Sequence, residues 1–121
     1  MLLLSGESVV RSYRIALGRD PLGHKQQEGD GRTPEGRYTI DRRNPKSKYH
    51  LSLHISYPNG ADRDRAQAAG VSPGGDIMIH GLKSGVPHPD DWTQGCIAVT
   101  DREMDEIWGL VADGTLIEIY P

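Results

Sequence analysis

Fifteen glycines and eight prolines are spread along this chain of 121 residues. So many turn-forming residues leave room mainly for short segments, which suits a fold of strands and turns better than a bundle of helices. The length allows one domain, residues 1–121, with one modest core. Hydrophobic residues make up 36% and Phe is absent. The core must therefore come from Leu, Ile, Val and Ala, with Tyr and Trp at a few places.

The segments between turns carry the expected patterns. Leu2–Leu4, the turn Ser5-Gly6-Glu7-Ser8 and Val9–Leu17 read as a β-hairpin, its second arm alternating partly through Val9, Tyr13, Ile15 and Leu17. Residues 18–33 are polar and Gly-rich, a loop. Thr33-Pro34-Glu35-Gly36 has the composition of a type I turn, and a strand through Tyr38 and Ile40 follows it over 37–41. Leu51, Leu53 and Ile55 alternate with Ser52, His54 and Ser56, which predicts a strand with one buried face. Residues 61–69 form a short polar helix that Gly70 can close. Ser72-Pro73-Gly74-Gly75 is a turn, and residues 76–80 form a short apolar strand ending in histidine. Residues 81–94 are a loop. Thr100-Asp101-Arg102-Glu103 is a capping box, with Met104, Ile107, Trp108 and Val111 on one helical face. Gly114 is expected to close that helix before a last strand over 115–120.

Net charge is −3 and the pI about 5.9, a balance unlike that of a general nucleic-acid binder. Local basic character at Arg42, Arg43, Lys46 and Lys48 reads as a solvated surface, with a substrate-anion patch as the alternative. A single cysteine precludes an internal disulfide and leaves the redox compartment open. No apolar run approaches the roughly 20 residues of a membrane-spanning helix. Met1–Leu4 is too short, and lacks the basic start, to be an export signal. For work outside the cytoplasm, such a segment is expected to have been removed or to lie outside this sequence.

The residues with chemistry lie in the second half. Ile77-Met78-Ile79 runs into His80-Gly81, and after a loop comes Asp90-Asp91-Trp92-Thr93-Gln94-Gly95-Cys96-Ile97-Ala98-Val99. A free cysteine titrates at about 8.5, so only a minor share is nucleophilic thiolate at neutral pH. A histidine within hydrogen-bond reach accepts the thiol proton, and the resulting imidazolium stabilises the thiolate. Cys96 is thus a candidate nucleophile and His80 its candidate base. A backbone carbonyl near Gly81 is a candidate partner for the second ring nitrogen. Gly95, lacking a Cβ, lets the main chain come close to a substrate carbonyl. Amides around Gly95 and Cys96 are candidate oxyanion donors, each typically worth about 3 kcal/mol of barrier. Spacing alone leaves the plainer reading open: Cys96 as a small buried hydrophobe before Ile97 and Val99, His80 as a satisfied structural residue.

His80-Gly81, a spacer and Thr93-Gln94-Gly95-Cys96 together resemble the signature of the L,D-transpeptidases of the YkuD type: a histidine, a spacer, then Ser or Thr, a variable residue, Gly and Cys. Gly31-Arg32-Thr33-Pro34-Glu35-Gly36-Arg37-Tyr38 is similar to the family's upstream Thr-Pro-x-Gly-x-Tyr/Phe element. The run Gly95-Cys96-Ile97-Ala98-Val99-Thr100 before a helix resembles a Gram-negative murein branch. The resemblance covers nearly the whole chain. It implies a mainly β catalytic fold, a sandwich or barrel with one or two short helices and the cysteine in a cleft. It implies peptidoglycan stem peptides as substrates, a protein or peptide amine as a further acceptor, no cofactor and no metal. By that analogy Cys96 attacks the carbonyl joining diaminopimelate to D-alanine, and an amine then takes the acyl group from the thioester. His80 acts first as base and then as acid. A monomer in the periplasm or cell envelope, with no nucleic acid and no membrane span, is the expectation.

Two departures bear on substrate contacts: Gln94 stands where many members have His, and Ala98 where many have Arg or Asn. The short spacer before Thr93 implies a small lid. Trp92 is expected either in the substrate cleft, with Gln94, or against the last helix. Thr93 hydrogen-bonds near the oxyanion or stabilises its loop, and Gly81 belongs with these positioning residues. His88, between two prolines, is expected to be exposed, and His54 to face a polar surface, with an approach to the cleft, as for Tyr57, the alternative; for Asp76, orienting a neighbour is the lesser alternative. Rival functions are a hydrolase using Cys96 and His80, a non-catalytic wall-binding module, and a metal site of Cys96, His80, His88 and His54. The last lacks the short paired spacings of zinc sites.

Overall fold

The computed structural model describes residues 1–82 and 91–121. Where the sequence alternates, strands form. Leu2–Ser5 (β1) and Ser8–Ser12 (β2) make an antiparallel hairpin, with Gly6 supplying the left-handed φ of 61° that its tight turn needs. Gly36–Ser47 (β3), His50–Ile55 (β4), Met78–His80 (β5), Ile97–Ala98 (β6) and Leu116–Ile119 (β7) build the main sheet, in the order β6-β5-β4-β3-β7. Every neighbouring pair in it is antiparallel except β5 and β6. A parallel pair cannot be joined by a tight turn, so residues 81–96 separate the end of β5 from the start of β6. The last part of that stretch, Thr93–Cys96, lies back beside His80.

Helix α2, Asp101–Leu110, covers one face of the sheet. Met104 and Ile107 are sealed against Ile40, Leu53, Ile55, Ile77, Ile79 and Ile97. Thr100 Oγ1 accepts the Glu103 N–H at 3.2 Å and Glu103 Oε1 accepts the Thr100 N–H at 3.0 Å, the reciprocal cap its sequence predicts. Helix α1, Gly60–Ala68, carries a second such box through Asn59 and Asp62. Among the described residues, no helix is long and apolar enough to cross a membrane.

Four expectations are corrected. The second arm of the hairpin ends at Ser12, not Leu17. Residues 13–18 leave it to line the open edge of β6, where Ala16 and Ala98 exchange backbone hydrogen bonds of 2.9 and 2.8 Å. No turn forms at Thr33–Gly36: Thr33 is buried, its Oγ1 accepts the Gly18 N–H at 3.0 Å, and Gly36 already opens β3. Both faces of β4 are covered, so Ser52 and His54 are buried as well as Leu53 and Ile55. A strand covered on both faces lacks the half-solvated face that clean alternation implies, and His54 Nδ1 meets Asp41 Oδ1 at 2.6 Å. Finally, Gly114 does not close α2, which ends at Leu110. The Arg43 guanidinium donates to the Trp108 and Val111 carbonyls and lies 4.7 Å over the Trp108 ring. A cation there answers the negative end of the helix.

Candidate active site

Register decides what meets on the sheet face opposite α2. Ile77 and Ile79 belong to the core, so alternation turns Met78 and His80 the other way. Across the ladder His80 pairs with Ser52 of β4 on one side and Ala98 of β6 on the other, while Met78 pairs with His54. Extending the β5–β6 register back one residue sets Cys96 beside Met78. Ile97 points to the core, which turns Cys96 towards the face that carries His80. The Met78 N–H approaching Cys96 Sγ at 3.4 Å agrees with that placement.

His80 is buried, and its Nδ1 lies 2.7 Å from the Gly81 carbonyl. A carbonyl only accepts, so Nδ1 carries the hydrogen and Nε2 is left as the acceptor. Tyr49 stacks on the imidazole with ring centres 4.4 Å apart and planes 24° apart. Trp92 meets it edge-on at 6.1 Å. Burial holds the imidazole below its usual pKa of 6.5, against the opposing pull of the Gly81 bond. The half-buried Cys96 thiol donates to the Asp76 carbonyl at 3.3 Å. Burial pushes it above the usual 9.0; the Met78 N–H and the Lys25 charge oppose that rise, and Asp76 adds to it. At rest both groups are therefore neutral: a thiol and an imidazole with a lone pair on Nε2.

The segment before Cys96 is tied down internally. Thr93 Oγ1 donates to the Cys96 carbonyl at 2.7 Å and accepts the Gly95 N–H at 3.1 Å. The Thr93 backbone is pinned between Leu17 and Arg19. Gly95 has φ of 137°, and a Cβ there would stand 2.7 Å from the Arg32 carbonyl. The close approach that requires glycine is thus to the chain's own backbone, and the Gly95 amide is engaged with Thr93. The Gly81 amide is engaged too, donating to the Tyr49 carbonyl at 2.9 Å. A Cβ on Gly81 would lie 2.4 Å from Asp101 Oδ1, which accepts the Leu82 N–H.

The structure thus gathers His80, Gly81, Trp92, Thr93, Gly95 and Cys96 around the β5–β6 junction. Gln94 is exposed beside them. His54 shares the sheet face of His80, one position along. Tyr57 lies in the core, its hydroxyl donating to the Pro73 carbonyl. Asp76 serves through its carbonyl, at a left-handed φ of 54°. Of the basic residues, Arg43 caps α2 and Arg42 reaches Asp76 at 3.9 Å. His88 and most of the expected lid lie outside the described residues. Tyr49 is the residue that sequence reasoning misses. Only its place in the turn between two strands hinted at it, and nothing in the spacing ties that turn to His80.

The fold agrees with what comparison with known proteins finds. Residues 1–119 match the sequence model of the L,D-transpeptidase catalytic domain, YkuD, and the chain belongs to that family. It is 34% identical over 119 residues to the Escherichia coli K12 protein named "Putative L,D-transpeptidase YafK", a match covering 91% of this chain and 43% of the relative. Among solved structures it is similar to the helical cell shape determining protein Pgp2 of Campylobacter jejuni, at a TM-score of 0.69 and 29% identity over 87% of this chain and 36% of that one. An L,D-transpeptidase from Mycobacterium smegmatis shares the fold at a TM-score of 0.61 and 12% identity, over 95% of this chain and 51% of the other. The chain spans less than half the length of the YafK and Pgp2 relatives.

Proposed function

We propose that this domain is a cysteine-dependent peptidoglycan L,D-transpeptidase, with Cys96 as nucleophile and His80 as base and then acid. One observation carries the reading: the bond from His80 Nδ1 to the Gly81 carbonyl presents Nε2 as a proton acceptor on the strand beside Cys96. The family supplies the substrate, a tetrapeptide stem whose diaminopimelate–D-alanine bond is broken.

The steps balance on these two groups. The Cys96 thiol passes its proton to His80 Nε2 as sulfur attacks the carbonyl carbon. The carbonyl electron pair moves to oxygen, and the Cys96 amide is the donor we assign to it, the Gly95 and Gly81 amides being engaged elsewhere. As the tetrahedral intermediate collapses, His80 returns the proton to the departing nitrogen and D-alanine leaves. The thioester on Cys96 then meets an amine of a second stem peptide or of an attached protein. That amine gives a proton to His80, which passes it to the departing sulfur, so that the thiol and the neutral imidazole are both restored. Water in place of the amine makes the same residues a hydrolase. Gln94 and Ala98, both near Cys96, bear on substrate contacts in either reaction. Work on peptidoglycan places the domain in the periplasm or cell envelope.

The test is incubation with purified muropeptides followed by mass analysis of the products. Cross-linked dimers with released D-alanine support transpeptidation. Freed tripeptide with no cross-link supports the hydrolase. Unchanged substrate, under conditions where a known transpeptidase turns it over, refutes both.

A further inference from the structure

We propose that Tyr49 is a positioning residue for His80, fixing the plane of the imidazole and shielding it from water. The inference rests on the reading of His80 as the base and assigns how that base is held. Tyr49 occupies the turn between β3 and β4, and the ring it covers lies at the end of β5, so the contact joins residues 31 positions apart.

The geometry fits a fixed lid on the ring better than a chance surface contact. The Tyr49 carbonyl accepts the Gly81 N–H at 2.9 Å, so the turn is bonded to the residue directly after His80. The Tyr49 N–H donates to Ser47 Oγ at 3.1 Å. The next residue, His50, takes a left-handed φ of 77°, a conformation unusual for a residue with a Cβ that surrounding contacts must hold. Its Nε2 is anchored to Asp105 Oδ1 at 2.6 Å on α2. The turn is therefore pinned at β5, at β3 and at α2, and its aromatic ring is delivered flat onto the imidazole. Tyr49 is 42% exposed while His80 beneath it is 4% exposed: the phenol stands between the imidazole and solvent. Trp92 closes the edge. With the Gly81 carbonyl on Nδ1 and Tyr49 stacked on one face, the plane of the ring is fixed from two directions.

Among the described residues, the titratable groups around His80 are Tyr49 and His50 in the turn, Cys96 beside β6, Asp101 and Asp105 on α2, and the His54–Asp41 pair on the neighbouring strands. None of these is removed by replacing Tyr49 except Tyr49 itself. Tyr49→Phe separates the ring from the hydroxyl.

The experiment is a pH titration of the His80 ring nitrogens by NMR, on otherwise intact protein, in wild type and in Tyr49→Ala, Tyr49→Leu and Tyr49→Phe. With Ala the pKa is expected to rise towards the ordinary value of about 6.5 and the Nδ1–H tautomer to lose its dominance. Leu is expected to shift both in the same direction by less, and Phe to leave both as in wild type. In turnover, Ala is expected to lower kcat about tenfold, a part of what acid–base catalysis supplies, with the acid limb of the profile moved to higher pH. An unchanged His80 titration and tautomer in Tyr49→Ala, or in Tyr49→Leu should the Ala variant not fold, overturns the inference whatever the turnover. A His80→Ala variant with normal turnover overturns instead the role of His80 as base, so the two failures are distinct.

Discussion

At the scale of single residues, the central pair is neutral at rest. Burial lowers the affinity of His80 for a proton and raises that of Cys96. With His80 as the proposed base, competence begins above its lowered pKa, and the acid limb of kcat/KM is expected below pH 6.5. The thiol ionises only above its raised pKa, so no second rise in rate is expected below pH 9.0. A profile whose acid limb lies well above 6.5 contradicts this. A neutral thiol still opens strained acyl rings through its base, so a carbapenem is expected to add its mass to wild-type protein and not to Cys96→Ala. Gly95 gives a third expectation. With φ at 137° and only 2.7 Å between the place a Cβ would take and the Arg32 carbonyl, Gly95→Ala strains the backbone by about 1–3 kcal/mol, read as a lowered midpoint in urea. Cys96 and His80 could be singled out as candidates because one sequence motif carries both residues. Tyr49 was not, because stacking across the β3–β4 turn depends on the register of β4 with β5, which no local pattern encodes.

At the scale of elements, the ends of α2 differ in how they are stabilised. Its N-terminus is capped by its own neighbours, Thr100 and Glu103, and for that reason it could be read from four consecutive residues. Its C-terminus is capped by Arg43, which comes from β3 and donates to two of the last carbonyls. No local sequence rule reveals such a cap, and the expectation that Gly114 closed the helix failed for that reason. Arg43→Ala is expected to destabilise the fold by about 1–2 kcal/mol, since it removes a partly buried cation from a helix end and from the face of Trp108. Arg43→Lys should recover only part of that, because an ammonium lacks the forked donors. Equal stability of Arg43→Ala and wild type in urea would contradict the assignment. The same contrast runs through the sheet. The alternation of Leu51, Leu53 and Ile55 announced β4, but the burial of its second face depends on what covers the sheet there, which no local pattern encodes. The rail at 13–18 exists only because β6 leaves an edge to pair with.

At the scale of the whole molecule, a polar loop is held in shape by charge within it. Lys25, buried, and Asp30, half-buried, form an ion pair at 3.0 Å. Burial alone would raise the Asp30 pKa, but the N–H groups of Gln26, Gln27 and Arg32 and the Lys25 ammonium outweigh it and bring it down from 3.8 to about 2. A carboxylate whose folded pKa is lowered contributes stability that is complete above its unfolded value and lost as pH falls. Asp62 is shifted the same way: burial opposes, and the Asn59 N–H, Tyr38 hydroxyl and His24 ring prevail. It fastens α1 to β3. Stability is therefore expected to hold from neutral pH to about pH 4 and to fall between about 4 and 2, with Asp30→Asn flattening that fall. The loop so held passes its Arg32 carbonyl beneath Gly95, which links its integrity to the position of Cys96. The covalent step through that sulfur is open to a direct check: the intact mass of the protein after brief exposure to a tetrapeptide muropeptide, with peptide mapping of the adduct. An added mass equal to the substrate less D-alanine is expected, carried on Cys96 and absent in Cys96→Ala. Turnover of the same substrate by Cys96→Ala, or an acyl group mapped to another residue, would refute the role of Cys96.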